Sequence, residues 1–147
     1  MLGGLFLTPA VTAISDALAS AHVSGGRVAI VGDARLARAL AAPGREVVPV
    51  GLSPRAAKKL AGALPDASTI APASLAAAIV VDVTADAAWE QTLRVWCALV
   101  RDGGAVVLVD RGRATLATCR ALCAGLSELE QRHVGRAVVT SGLVTQL

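Results

Sequence analysis

Three stretches of this chain, "VAIV" at 28–31, "AAIVVDV" at 77–83 and "AVVLVD" at 105–110, are apolar almost without interruption. Each is far shorter than the roughly 18 residues needed to cross a bilayer. None shows the alternation of a strand with one wet face, so all three read as strands buried on both sides. Such strands need helices above and below them. The segments between them supply these, with apolar residues at helical spacing in "AVTAISDALASAH", "ARLARALA", "DAAWEQTLRVWCALV" and "RATLATCRALCAG". Alternating strand and helix implies one α/β domain with a doubly wound, mostly parallel sheet and helices on both faces.

Local signals fix the borders of several elements. Ser53 followed by Pro54 is a helix start, and "SGG" at 24–26 is a helix exit. Pro49 in "EVVPVG" removes a ladder donor and belongs near the sheet's rim. "DAAWEQTLRVWCALV" is the longest helical pattern, with Asp86 as its cap and with Trp89, Leu93, Trp96 and Val100 on one stripe. "RDGG" at 101–104 is its exit turn, and a short strand is expected around Ala67–Ile70. The chain ends differently, in two strands around Gly135 that form an antiparallel hairpin, with a bulge or bend at Thr140-Ser141-Gly142.

A length of 147 residues suits a single domain, with residues 1–25 as an apolar arm plus helix and 26–147 as the sheet core. The composition is 54% hydrophobic but only 2% aromatic, so the core is built from small and β-branched side chains. With so few stacking platforms and a net charge of only +3, no specific nucleic-acid role is expected. The opening "MLGGLFLTPAV" lacks the basic start of a signal peptide, which implies a cytoplasmic protein with no membrane span. Cys119 and Cys123, four apart on one helix, are either buried apolar thiols or half of a metal site, and Cys97 is given no role. His22 and His133 have no ligand spacing to them, so the first reading is preferred and no metal is expected.

The order of these pieces resembles the class I, Rossmann-like S-adenosylmethionine-dependent methyltransferases. "VVPVGLSPRAAKKL" resembles that family's second strand and the helix after it. "AAIVVDVTADAAWEQTLRVWCALVRDGGAVVLVD" resembles its fourth strand, helix, glycine turn and fifth strand, and "SELEQRHVGRAVVTSGL" its last two strands. The resemblance implies a sheet of order 3-2-1-4-5-7-6 with strand 7 antiparallel. It also places a cofactor site at Gly32, Asp33 and Ala34, at Gly51 and Leu52, and at Asp82 and Val83. No catalytic residue follows from it.

The departures from the family pattern fall on that site. The family's first loop runs acidic-x-Gly-x-Gly-x-Gly. Here Gly32 is followed by Asp33, Ala34 and Arg35, in a loop about two residues short. The acid that closes the second strand and binds the cofactor's ribose is matched by Gly51. The stretch before the fourth strand is also short, leaving little wall for an adenine pocket.

Three functions remain open on this reading. The first is a degenerate methyltransferase-fold domain, a pseudoenzyme with weak or no S-adenosylmethionine binding. It would work through protein contacts, as a homo-oligomer or with a protein partner, using Leu2, Leu5, Phe6 and Leu7. The second is an active small-molecule methyltransferase with a divergent loop, in which Asp33 pairs with the cofactor's ammonium group instead of capping a helix. The third is a small NAD- or nucleotide-binding module, because Gly32 to Ala37 is a worn G-x-G-x-x-G/A motif. Arg35, Arg111 and Arg113 are either an anion site or solvated surface.

Overall fold

Pro49 shows how the sheet is bounded. Its carbonyl accepts a hydrogen bond from the Leu64 N–H at 2.8 Å. Because a strand residue's N–H and C=O point the same way, the donor missing from Pro49 also falls on that outer side. The strand that carries it, β2 (Arg45–Val50), is the sheet's edge.

The structure, a computed structural model, describes residues 4–146, and the side chains of residues 9–146. The chain runs α1 (Gly4–Ser20), β1 (Gly26–Val31), α2 (Ala34–Ala39), β2, α3 (Pro54–Ala57), β3 (Leu75–Val81), a 3-10 turn (Val83–Ala85), α4 (Trp89–Leu99), β4 (Val100–Arg111), α5 (Ala114–Cys123), β5 (Ser127–Val134) and β6 (Ala137–Leu143). The six strands form one sheet of order β2-β1-β3-β4-β6-β5. Pairing is parallel from β2 through β4, and β6 is antiparallel to both its neighbours. The mostly parallel α/β fold with a reversed penultimate strand in the sheet is thus the one expected.

The expected third strand is not at Ala67–Ile70. It is reduced to a single parallel bridge between Val50 and Leu64, in the place outside β2 where that strand would lie. Turns and bends occupy residues 58–62 and 65–70 on either side of Leu64, so no longer ladder extends from it. Two other expectations change. "RDGG" does not separate helix from strand but lies within β4, where the register slips between Leu75↔Val100 and Ala77↔Ala105. The bulge of the hairpin falls in β5, between Ser127 and Glu130, and not at Thr140-Ser141-Gly142. Those three residues continue the ladder to β4, and Gly142 is there for close approach: a Cβ on it would stand 2.6 Å from the Leu129 side chain.

Strand alternation divides the core into two layers. Val28, Ile30, Ile79, Val107 and Val139 face α1 and α2, whereas Ala29, Val80, Val106 and Leu108 face α4 and α5. α1, not α4, is the longest helix, and it continues through Pro9. It buries Ala10, Ala13, Ile14, Ala17 and Leu18, the 3.6-residue stripe of an amphipathic helix. The apolar arm therefore becomes the first turns of α1 from Gly4 onward. Leu2 lies outside the described residues, as do the side chains of Leu5, Phe6 and Leu7. On α4 the expected stripe is seen, with Leu93 and Trp96 buried and Trp89 half-buried. Among the described residues no helix is long and apolar enough to cross a membrane.

Candidate functional site

Open parallel sheets bind ligands where the carboxyl ends of the strands meet the following loops. Gly32, Gly51 and Asp82 each stand there, directly after β1, β2 and β3. Backbone bonds hold them in line: Gly32 N–H to the Val50 carbonyl at 2.9 Å, Gly51 N–H to Leu64 at 3.1 Å, and Asp82 N–H to Val109 at 2.8 Å. Leu52 follows half-buried, and Val83 is buried at the start of the 3-10 turn. The sheet thus brings the sequence-predicted positions to one edge.

The first loop is a tight strand-to-helix turn. Gly32 has φ +89°, and a Cβ on it would meet nothing within 4 Å, so its role is conformational. Asp33 is extended and buried, and its Oδ1 accepts from the Arg35 N–H at 2.9 Å and the Leu36 N–H at 3.0 Å. That is a helix cap, which satisfies two of the donors a helix leaves open at its start. Ala34 is already the first residue of α2.

The β2 end is the second point. Gly51 is exposed, with φ +72° and open space around its Cα. In the family that the sequence resembles, a carboxylate at this position accepts hydrogen bonds from the two ribose hydroxyls of S-adenosylmethionine, a charge-assisted contact. Gly51 offers no side chain, and the nearby Asp33 Oδ1 is committed to the α2 backbone. The residues present do not fit the family's hydrogen-bond set for that cofactor.

Behind the β3 edge lies a cluster that the sequence reading missed. Asp110, the last apolar-run residue of β4, is fully buried. Its Oδ1 accepts from the Thr84 N–H at 2.8 Å and from the Thr84 hydroxyl at 2.9 Å, while its Oδ2 is buried without a partner. Burial pushes its carboxyl above the ordinary range, the two Thr84 bonds oppose this, and the nearby Asp82 adds to it. Two arginines close the same corner. Arg113 donates to the Thr84 carbonyl at 3.3 Å. Arg120 donates to the carbonyls of Val83 and Asp86, and its guanidinium lies 4.9 Å from the centre of the Trp89 ring. The signal that was available was an acid ending an otherwise apolar buried strand.

Other candidates are placed differently from expectation. Cys119 and Cys123 are exposed, not buried. α5 buries Ala117 and Ala121, and residues two positions further on point to the opposite side. Cys97 is half-buried, and burial raises its thiol to about 11. Among the described residues no group of three or more histidine, cysteine or acidic side chains stands ready for a metal. Arg113 is spent on Thr84, and Arg35 belongs to a different groove, between α2 and α3, together with Arg38. Asp86 does not cap α4 from the position before it; it accepts from the Ala88 N–H and the Thr92 hydroxyl, both at 2.8 Å.

No family model and no curated protein matches the sequence. The fold, in contrast, is shared with solved methyltransferases. An O-methyltransferase family protein from Burkholderia thailandensis superposes with a TM-score of 0.68 at 16% identity, over 95% of this chain and 56% of that one. The N-methyltransferase NodS from Bradyrhizobium japonicum gives 0.67 at 15% identity, over 97% and 98%. A chain from the Haloferax volcanii complex between the Trm112 methyltransferase activator and a candidate methyltransferase gives 0.69 at 12%, over 93% and 93%. This chain thus spans just over half of the first and nearly all of the other two. Identities this low show the fold: it is that of the class I S-adenosylmethionine-dependent methyltransferases.

Proposed function

We propose that this chain is a methyltransferase-fold domain that has given up the family's cofactor cradle and acts through protein contacts. Gly51 carries the reading: it stands at the end of β2, where a ribose-binding carboxylate belongs, with no side chain to offer. The Asp33 cap supports it: its Oδ1 holds two α2 amides and its Oδ2 is buried without a partner, so the carboxylate is turned inward and is not offered to a cofactor's ammonium group. Weak or no S-adenosylmethionine binding follows, and so does the absence of methyl transfer.

The contact element is the apolar segment Leu2, Leu5, Phe6 and Leu7, the last three of which fall within α1, and it joins a second copy of the chain. Support for partnership in this fold comes from the Haloferax volcanii complex, where a similar chain is found with a second protein. Light scattering on a sizing column tests it with Phe6→Ser/Leu7→Ser. The wild type elutes as a dimer or larger and the variant as a folded monomer. A wild type that stays monomeric at every concentration overturns the self-association.

A further inference from the structure

Among the described residues, five of the chain's 14 cations have a partner. Arg27 pairs with Glu46 at 3.5 Å and Arg132 with Glu130 at 2.9 Å. Arg45, Arg113 and Arg120 donate to backbone carbonyls. The groove between α2 and α3 gathers four that have none. It is a cavity of about 340 Å³ whose walls carry Arg35 and Arg38 from α2, and Arg55 and Lys59 from α3 and the turn after it. Spacings of three and four residues put each pair on one face of its own segment. Among the described residues none of these four side chains has an ion pair or a side-chain hydrogen bond.

The acid that borders the groove, Asp33, offsets one of these four charges. Asp33 is buried, and its Oδ1 is bound to the amides of Arg35 and Leu36. Four like charges facing one concavity repel one another and weaken the fold that holds them. A chain with 14 cations and 11 acids has enough carboxylates to avoid this. A cleft dominated by one sign concentrates the opposite charge.

We infer that the α2–α3 groove is an anion site for a small organic polyphosphate, a ligand with two or more linked phosphoryl groups. Four cations on two walls exceed the charge of one phosphate monoester, which is about −1.5 to −2 at neutral pH, and match that of a diphosphate. Guanidinium groups supply paired donors to phosphoryl oxygens, Lys59 adds a point charge, and the exposed Ser53 hydroxyl borders the same space. A cavity of this size falls in the range of small-ligand sites. A nucleic-acid strand is disfavoured, because no aromatic ring lines the groove to stack a base. The groove shares Asp33 and Ala34 with the predicted S-adenosylmethionine positions, but polyphosphate binding by its four cations does not require that cofactor.

Calorimetric titration with inorganic pyrophosphate tests the site, alongside sulfate and a single-stranded oligonucleotide. Pyrophosphate binds at one site per chain, more weakly as salt rises, and at least 10-fold tighter than sulfate. Arg38→Ala/Lys59→Ala loses binding 10-fold or more with an unchanged circular dichroism spectrum, whereas Arg101→Gln, on β4, keeps it. Three results overturn the inference: no saturable heat, equal affinity for sulfate, or affinity unchanged in the double variant. Tighter binding of the oligonucleotide than of pyrophosphate also overturns it, in favour of a nucleic-acid surface.

Discussion

Thr84 offers Asp110 two donors at once, its backbone N–H at 2.8 Å and its hydroxyl at 2.9 Å, and both reach the same carboxylate oxygen. The contact ties the turn after β3 to the end of β4 and leaves the second oxygen buried and unpaired. Because burial raises its carboxyl, the folded state holds the Asp110 proton more tightly than the unfolded chain. The unfolded state then binds fewer protons, and stability falls as pH rises from the unfolded value of 3.8 through the raised folded one. Asp110→Asn keeps an acceptor for Thr84 and removes the charge, so its stability is flat across that window and equals or exceeds the wild type at pH 7. Asp110→Ala orphans both Thr84 donors and costs about 1–3 kcal/mol for a buried group left unsatisfied. Urea unfolding between pH 4 and 8 distinguishes the three proteins.

The Asp33 cap has a stability signature of its own. Asp33→Ala removes the acceptor for the Arg35 and Leu36 amides and costs about 0.5–2 kcal/mol, whereas Asp33→Ser retains most of the cap. Thermal unfolding of the two variants checks this. An Asp33→Ala protein as stable as the wild type contradicts the capping role.

Gly104 is held by its neighbours rather than by its backbone angle. A Cβ there would stand 2.6 Å from the Ala76 carbonyl oxygen, which belongs to a buried strand and cannot swing away. Gly104→Ala therefore forces β3 and β4 apart and destabilises by about 1–3 kcal/mol, the usual cost of overpacking. Chemical denaturation measures it.

The three thiols divide by reactivity. Cys119 and Cys123 are exposed, while Cys97 is half-buried with its thiol raised to about 11. Since the thiolate is the reacting form, a disulfide reagent at pH 8 titrates two thiols quickly in the native protein and the third only slowly or on unfolding. Cys119→Ser/Cys123→Ser abolishes the fast phase.

Much of the fold could be read in the sequence because its signals are local. The uninterrupted runs of β1, β3 and β4 require burial on both faces, and the Gly135 hairpin follows two strand-like segments. What escaped was decided by neighbours distant in the chain. Leu64 forms the outer bridge because the Pro49 carbonyl is there to receive it, not because of its own surroundings in sequence. Cys119 and Cys123 look apolar enough to bury, yet which face of α5 meets the sheet was settled by Ala117 and Ala121. Asp110 lies 26 residues from the Thr84 that holds it, and the basic groove needs two short helices side by side. The positions Gly32, Gly51 and Asp82 were legible because each directly follows a strand that was.

The central claim is that this fold is present without its cofactor cradle, and a calorimetric titration with S-adenosylmethionine tests it most directly. With Gly51 at the end of β2 and Asp33 locked to α2, no saturable heat appears up to millimolar ligand. A micromolar dissociation constant that weakens 10-fold or more in Asp33→Ser, a variant that keeps the helix cap, would contradict the account and mark the chain as a working cofactor binder.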